Sequence, residues 1–327
     1  MKALYLLVFT VLKQRNKMKK EILFSMKSPF RDDFNIYGYT FGSGSKSLAI
    51  IGSMRGDEVN QMYVCSQIVK ELASLENHGY LAKDVSITVI PSANPFSMNI
   101  GKRFWSMDDT DINRMFPGYD LGETTQRIAA GIFKKLENYE YGIQLASFYM
   151  PGDFIPHVRI FNTGNDYAAE ANDFGLPYVM LSDPTPFDTT LLNYNWQIWN
   201  TKTFSLYGGS NQKIEGMATK HLVNSVLRFL IKKGMVLKRT YDPACVSETI
   251  RESQLKVIQA PSAGVFYKKK SAGDYVRKGD ELGRILDPYE GTLKARIYAY
   301  VDGMMFFTHD SPLTLQNTPL FKIYGSE

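Results

Sequence analysis

Apolar residues follow two regular patterns between residues 47 and 234 of this chain. Short continuous apolar runs, which are typical of strands buried on both faces of a sheet, alternate with segments in which apolar residues recur every three or four positions. The predicted strands are Ser47–Gly52, Val85–Ile90, Gly142–Ser147, Tyr178–Leu181 and Phe204–Tyr207, and the predicted helices lie around 62–75, 128–136 and 222–230. This alternation predicts an α/β fold with a mostly parallel or mixed sheet and helices on both faces.

The pattern changes after residue 240, where short apolar stretches are separated by Gly-Asp and Asp-Gly turns without a helical period. Such a pattern is typical of a small all-β domain. We therefore divide the chain into an N-terminal extension and lead-in (1–36), an α/β domain (37–240) and a small β domain (241–327). The β domain resembles the barrel-sandwich fold of lipoyl and biotinyl carriers, with residues 272–283 as one hairpin. Lys294 lies near the position of the carriers' modified lysine, but its neighbours match neither carrier motif, so we expect it to be unmodified.

Composition and charge exclude several classes of function. The chain has 327 residues, of which 44% are hydrophobic, and a formal net charge of +5. Its basic residues are scattered rather than arranged in a stripe with stacking aromatic residues, so we expect no nucleic-acid partner. Cys65 and Cys245 form no metal-binding or disulfide pattern, which is consistent with a reduced, cytoplasmic protein. The composition does not predict an oligomeric state.

The first 17 residues contain an apolar run that resembles the central part of a signal peptide. The run is too short to cross a bilayer, and no small-residue cleavage site follows it. Translation from Met18 would remove this segment altogether. We expect neither secretion nor a membrane partner.

Residues 50–61, IIGSMRGDEVNQ, predict a buried strand, a turn with a glycine on each side and the start of a helix. Arg55, Asp57 and Glu58 lie in this turn. A histidine and a glutamate three residues apart at such a place face one point and are suited to bind zinc. Here the first of these two positions is an arginine, which keeps its proton and cannot bind a metal.

Four motifs in a fixed order resemble the succinylglutamate desuccinylase/aspartoacylase branch of the zinc carboxypeptidase (M14-like) superfamily. The family pattern is H-G-x-E after a strand, N-P with G-x-R-F, D-x-N-R-x-F-P-G, and a strand that ends in D-L-H-S. This chain contains GSMRGDE, SANPFSMNIGKRFW, DINRMFPG and YGIQLAS in the same order. DINRMFPG, at residues 111–118, is the most specific of the four. With the β domain, the resemblance covers nearly the whole chain from residue 37.

The resemblance implies a zinc hydrolase, but several of its reactive groups are replaced in this chain. In the family, the His and Glu of the first motif and the His of D-L-H-S hold zinc, a Glu on a late strand acts as general base, and arginines bind the substrate carboxylate. The three ligand positions fall on Arg55, Glu58 and Ala146. The general-base position falls on Leu206 or Tyr207. We therefore expect no zinc cofactor.

Glu58 is the only ligand type that remains, and it is the candidate catalytic residue. Without its partners we expect it to accept a salt bridge from Arg55. Of the four histidines, His157 is the alternative metal ligand, because it follows the third ligand position by eleven residues. Substrate binding is assigned to Arg55, Arg103, Asn113, Arg114 and Arg159. For Arg103 a purely structural salt bridge with Asp108, Asp109 or Asp111 is the alternative.

Three functions are compatible with these residues. The first is a degenerate family member that binds a small anionic N-acyl amino acid or amide without zinc. The second is an active amide or peptide hydrolase that uses altered metal ligation or no metal, with Glu58 as one reactive group and His157 or Tyr207 as candidates for another. The third is a noncatalytic scaffold that acts through its β domain and aromatic-rich loops such as LLNYNWQIWN, residues 191–200. We favour the first, because three of the four groups that the reaction requires are absent.

Overall fold

The computed structural model describes residues 18–164, 167–238 and 244–325, and its largest feature is a nine-stranded mixed sheet. The first ten strands of the chain are β1 (Lys19–Met26), β2 (Phe34–Gly42), β3 (Ser45–Ser53), β4 (Val85–Ser92), β5 (Tyr141–Leu145), β6 (Gly152–Phe154), β7 (His157–Phe161), β8 (Tyr178–Ser182), β9 (Lys202–Tyr207) and β10 (Glu248–Arg251). All except β6 belong to this sheet, in the order β1-β2-β4-β3-β5-β9-β7-β8-β10. Its centre, β4-β3-β5-β9, is parallel, whereas β2 is antiparallel to both of its neighbours and β7 is antiparallel to β9.

Helices cover both faces of this sheet, which confirms the predicted fold class. They are α1 (Val59–Asn77), α2 (Pro95–Asn99), α3 (Thr124–Leu136), α4 (Leu192–Ile198) and α5 (Gly216–Lys232). Ile50 of β3 lies in the core formed with α1 and α5, together with Phe229. The next residue, Ile51, lies in the opposite core formed with α3 and α4, together with Trp196. Both sides of β3 are therefore buried, as its continuous apolar run predicts.

Among the described residues, no helix combines the length and the apolar character that crossing a bilayer requires. Residues 191–200, which were predicted to be a loop, contain α4, so that prediction is wrong. The long connection between β4 and α3 also contains regular structure, since it includes α2 and a short 3-10 helix at Ile112–Arg114.

The C-terminal strands form two further antiparallel sheets around a separate core. They are β11 (Leu255–Gln259), β12 (Gly264–Lys268), β13 (Tyr275–Val276), β14 (Glu281–Leu286), β15 (Leu293–Tyr298), β16 (Gly303–His309), β17 (Leu313–Thr314) and β18 (Pro319–Tyr324). One sheet has the order β11-β18-β16-β13, with β6 paired to β16, and the other has the order β15-β14-β12-β17. Leu282, Ile285 and Phe321 contribute to the core of this region. The predicted all-β region is confirmed.

The two regions exchange strands, and only β10 of the exchanged strands lies near a predicted boundary. β6 pairs with β16 of the C-terminal region, and β10 extends the large sheet by pairing in parallel with β8. The predicted lead-in contributes the edge strand β1. The boundary between residues 240 and 241 lies outside the described residues, as does the signal-like segment 1–17.

The predicted hairpin at residues 272–283 is wrong. β13 pairs with β16 in one sheet, whereas β14 pairs with β12 and β15 in the other. Lys294 is the second residue of β15 rather than a turn residue. Its ammonium nitrogen lies 3.9 Å from Asp287 Oδ2.

Candidate ligand-binding site around Arg55

The turn after β3 depends on a glycine and on a buried glutamate. A Cβ atom at Gly56 would lie 2.2 Å from the carbonyl oxygen of Lys102, so only glycine allows this close approach. Glu58, immediately before α1, accepts hydrogen bonds from the backbone N–H groups of Met54 and Arg55 at 2.8 and 3.1 Å. These contacts hold the Arg55 backbone and the Glu58 carboxylate in a fixed relation.

The guanidinium of Arg55 lies between two carboxylates. Its Nη1 is 3.2 Å from Glu58 Oε1, and its Nε and Nη2 are 3.0 and 2.8 Å from Asp111 Oδ2. Nη1 also donates to Ser147 Oγ at 3.4 Å, and the Ser147 hydroxyl donates to Glu58 Oε1. The side chains of Arg55 and Glu58 are 7% and 2% exposed. Since a guanidinium has five N–H groups, these four contacts leave Arg55 at most one further donor.

Electrostatics keep Arg55 charged. Burial alone would lower the pKa of Arg55, but the charges of Glu58 and Asp111 outweigh burial and raise this pKa above its ordinary value. One cation therefore faces two carboxylates, and removal of the cation would leave both of them without compensation. Breaking such a buried pair is costly even where the intact pair adds little net stability.

A pocket of about 70 Å³ opens beside this cluster, at the carboxyl ends of β5 and β9. Ligands of α/β sheets commonly bind at this edge. The pocket is lined by Arg55, Asn113, Arg114, Gln144, Ala146, Ser147, Phe148, Tyr149, Asp188, Leu191, Asn193 and Tyr207. Sites for drug-sized ligands measure roughly 300–1,000 Å³, so this pocket has room for an end group such as a carboxylate.

The sequence profile of the succinylglutamate desuccinylase/aspartoacylase catalytic domain matches residues 44–205. The chain belongs to this family. The matched segment begins before β3 and includes Arg55, Glu58 and Ala146. The resemblance carried by the four motifs is confirmed, and the large mixed sheet with its flanking helices is the M14-like fold of the family.

Several solved structures share this fold over nearly the whole chain. A succinylglutamate desuccinylase from a Silicibacter species has a TM-score of 0.80 at 15% identity and covers 95% of both chains. The product-bound ectoine utilization protein EutE (DoeB) from Ruegeria pomeroyi has a TM-score of 0.79 at 17% identity, over 95% of this chain and 96% of that chain. An aspartoacylase family protein from Mesorhizobium loti has a TM-score of 0.75 at 20% identity, over 96% of this chain and 97% of that chain. No curated protein sequence matches the chain.

The residues at the family's metal-ligand positions do not fit a zinc ion. Arg55 and Ala146 line the same pocket, and Glu58 contacts Arg55, so the structure brings the three positions together. Only Glu58 offers a ligand atom, because a guanidinium keeps its protons and the Ala146 side chain is a methyl group. Within residues 18–164, 167–238 and 244–325, no three histidine, cysteine or carboxylate side chains are grouped so that they could hold a metal.

The family's general-base position and the alternative ligand His157 also lack the required geometry. Leu206 is 1% exposed and pairs with Leu145 of β5. Tyr207 lines the pocket, and its ring stacks on that of His157 at a centroid distance of 5.0 Å. Nδ1 of His157 is 2.8 Å from the carbonyl oxygen of Ile155, and burial lowers the pKa of His157 to about 3. His157 is not among the pocket-lining residues.

Two of the arginines predicted to bind substrate contact carboxylates outside the pocket lining. Nη1 of Arg103 is 2.8 Å from Asp57 Oδ2. Arg159 of β7 donates from Nε to Ser182 Oγ at 2.7 Å, and its Nη2 is 2.6 Å from Glu252 Oε2. Both arginines therefore have protein partners, and their role in ligand binding stays a prediction.

Arg114 and Asn113 both line the pocket. The Arg114 side chain is 36% exposed, donates to the carbonyl oxygen of Phe187 and has Nη1 3.9 Å from Asp188 Oδ1. Asn113 Oδ1 accepts a hydrogen bond from Gln144 Nε2 at 3.3 Å. Of the two cations that line the pocket, Arg114 is the more exposed, since Arg55 is almost completely buried.

Sequence reasoning missed several polar residues of the pocket. Ser147 directly follows Ala146 in the fourth motif, and this position next to a family ligand position could have identified it as a pocket residue. Asn193 donates from Nδ2 to Ser205 Oγ at 2.6 Å. No local pattern marks Asn193 or Asp188, because their positions in the pocket depend on how the chain folds back onto β5 and β9.

Proposed function

We propose that this chain is a degenerate member of its family, which binds a small anionic N-acyl amino acid or amide without zinc. The observation that carries this proposal is the Arg55 guanidinium held between Glu58 and Asp111 at the family's first ligand position. Zinc hydrolases depend on a metal-bound water with a lowered pKa. A guanidinium supplies positive charge but binds no such water, so ligand binding can persist without hydrolysis.

Arg114 is the proposed anchor for the carboxylate of the ligand. The charge of Arg55 is already offset by two carboxylates, and at most one of its N–H groups is free. Arg114 is more exposed, and its contact with Asp188 is long, at 3.9 Å. A ligand carboxylate that binds Arg114 through two parallel hydrogen bonds would gain charge-assisted contacts that Asp188 does not make at this distance.

The size of the pocket supports a ligand with a small anionic end group. The pocket volume of about 70 Å³ accommodates that group. The rest of the ligand would lie at the entrance of the pocket. Tyr149 lines the pocket and is 60% exposed, and Phe187, whose carbonyl oxygen contacts Arg114, is 81% exposed. These rings offer apolar surface for an acyl chain.

Isothermal titration calorimetry with N-acetyl-L-aspartate and N-succinyl-L-glutamate tests this proposal. We expect binding by the purified protein and an affinity lower by about tenfold or more in Arg114→Gln, because charge-assisted hydrogen bonds contribute roughly 1.5–3 kcal/mol. Arg127→Gln is the matched control, since Arg127 is exposed on α3 and does not line the pocket. Absence of binding, or an equal loss in the control, contradicts the proposal.

Hydrolysis of the same two compounds, assayed with and without a chelator, separates the proposal from its alternative. We expect no release of the free amino acid under either condition. Hydrolysis that the chelator abolishes would instead support an active hydrolase with altered metal ligation. Hydrolysis that the chelator leaves unchanged would support a metal-free mechanism.

A further inference from the structure

A second and larger cavity, of about 440 Å³, lies between the α/β sheet and the C-terminal sheets. Its wall combines residues of β6, β8, α5 and β16 with the segment before β13. Ile155, Tyr178, Met217 and Met304 are among its larger side chains. It shares no lining residue with the Arg55 pocket, and its volume falls within the range of roughly 300–1,000 Å³ that is usual for small-molecule sites.

The charged side chains that line this cavity are acidic. Asp153 of β6 and Glu215, which precedes α5, line it, and no lysine or arginine does. Lys268 is close enough to influence Asp153, but its ammonium nitrogen is 2.5 Å from Asp310 Oδ1 and 3.2 Å from Thr308 Oγ1. The cavity therefore presents negative charge within a largely apolar wall, an arrangement that attracts cations.

Asp153 is half-buried, and no salt bridge connects it to another described residue. Its carboxylate differs in this respect from the buried carboxylates of Asp57 and Glu58, each of which contacts an arginine. Burial raises the pKa of Asp153 to about 6, and the charges of Glu215 and Asp310 act in the same direction. A carboxylate that is poorly solvated and unpaired is stabilised by any cation that reaches it.

We propose that this cavity binds a protonated amine with a compact apolar body, its nitrogen beside Asp153 and Glu215 and its body against the apolar wall. The size of the cavity, its acidic lining without a lysine or arginine, and the Asp153 carboxylate that has no salt bridge all favour this occupant. A divalent metal fits less well, because the described residues provide no group of three suitable ligands and hard cations require about six oxygen atoms.

Titration calorimetry with benzylamine, cyclohexylamine and phenethylamine tests the proposal, with benzyl alcohol and benzoate as neutral and anionic counterparts. We expect amine binding at one site per chain and no binding of the alcohol or the acid. Asp153→Asn should weaken amine binding by about tenfold or more, since it removes the charge-assisted contact, and Glu215→Gln should weaken it less. Asp120→Asn, which removes a carboxylate that is exposed and lines neither cavity, should leave the affinity unchanged.

The pH dependence of the affinity for benzylamine provides an independent test of the proposal. The groups that face Asp153 or the cavity from neighbouring elements are Glu215, His221, Tyr178, Lys268 and Asp310. Protonation of Asp153 as the pH falls through about 6 should reduce the affinity for benzylamine. Asp153→Asn should abolish either the binding or this dependence, whereas His221→Gln should retain both, which separates Asp153 from the histidine that also lines the cavity.

Two results would overturn the proposal: none of the three amines binds at millimolar concentration, or they bind Asp153→Asn and the wild-type protein equally well. Circular dichroism of each variant at the pH of the titration shows whether it is folded. Neither result bears on Arg114, because the N-acyl amino acids used to test the proposed function bind at the other pocket.

Discussion

Nη1 of Arg55 lies 3.2 Å from Oε1 of Glu58, and both side chains are buried. The motif resemblance assigns these two residues to the positions of the first histidine and the glutamate in the family motif. The guanidinium therefore places a fixed positive charge beside the retained glutamate, where the family has a zinc ligand. In the proposed function, this substitution separates two properties that zinc combines: the guanidinium supplies positive charge but does not generate a water molecule of lowered pKa.

Replacement of Arg55 by alanine should destabilise the protein strongly. The variant leaves Glu58 and Asp111 near each other without their shared cation, and breaking a buried pair in this way costs about 3–5 kcal/mol. The free energy of unfolding, measured by urea denaturation and followed by circular dichroism, provides the test.

Lys102→Ala is the control for that experiment. Lys102 Nζ is 3.4 Å from Asp109 Oδ1, but the two side chains are 49% and 73% exposed, and exposed pairs contribute only about 0–1 kcal/mol. If Arg55→Ala costs no more than Lys102→Ala, the ion pairs of Arg55 do not stabilise the fold.

Metal binding should return when both missing histidines are restored. The double variant Arg55→His/Ala146→His, together with Glu58, recreates the ligand types His, Glu and His at three positions that the structure brings together. We expect about one zinc per chain in this variant and no stoichiometric zinc in the wild-type protein, by elemental analysis after purification without chelator. Hydrolysis should remain absent, because Leu206 and Tyr207 supply no carboxylate at the general-base position.

The two single variants are the controls, since each restores only one histidine. Tightly held zinc in the wild-type protein that is lost in Glu58→Gln would show that a metal site persists and would refute this account.

The centre of the fold was predictable because its signals are local. β3 and β5 contain short apolar runs, and α1 repeats its apolar positions from residue 62 to residue 75, so each was recognised from its own residues. α4 has only seven residues, which are too few to display a helical period. The false hairpin arose from a different limit: turn residues indicate where strands end, but pairing between β13 and β16 depends on contacts distant in sequence.

The contacts of the candidate site also differ in whether they could be predicted from local sequence. The pair of Arg55 and Glu58 follows from a spacing of three residues, whereas Asp111 reaches Arg55 across 56 positions. Sequence reasoning considered Asp111 as a partner for Arg103, but Arg103 contacts Asp57. The order of the motifs predicted that these residues lie close together. It did not predict which carboxylate each arginine contacts, because that depends on tertiary packing.

The ion cluster around Glu252 should hold the C-terminal sheets to the large sheet. Glu252 Oε2 is 2.6 Å from Arg159 Nη2, and Glu252 Oε1 is 3.2 Å from Lys322 Nζ of β18. Burial would raise the pKa of Glu252, but the charges of Arg159 and Lys322 outweigh burial and lower it. The contribution of Glu252 to stability is therefore present above its unfolded pKa and is lost as the pH falls through its lower folded pKa.

Glu252→Gln should accordingly destabilise the protein at neutral pH, by about 1–2 kcal/mol once the partial exposure of Glu252 is allowed for. The difference from the wild-type protein should shrink in acid, as measured by urea denaturation at several pH values. Glu290→Gln, in an exposed turn of the same region, is the matched control. A difference that is independent of pH would show that the charge of Glu252 is not the cause.

His157 should make the protein less stable as the solution becomes acidic. Its folded pKa of about 3 lies below the ordinary value of 6.5, because burial disfavours the imidazolium form. Between these values the unfolded chain binds a proton that the folded chain does not, so the free energy of unfolding falls as the pH falls, by about 1.4 kcal/mol per unit for one proton.

Asp153 acts in the opposite direction, since its raised pKa makes the folded chain the stronger proton binder between the ordinary value of 3.8 and about 6. Because Asp153 is about half protonated in the folded protein at pH 6, its contribution overlaps that of His157 in the wild-type protein. Denaturation of the Asp153→Asn variant removes this overlap and isolates the contribution of His157. Two-dimensional NMR of the imidazole resonances checks the cause directly: the ring of His157 should stay neutral down to about pH 4. Protonation of His157 near pH 6 in the folded protein would contradict this prediction and would show that water or a counter-charge reaches the ring stacked on Tyr207.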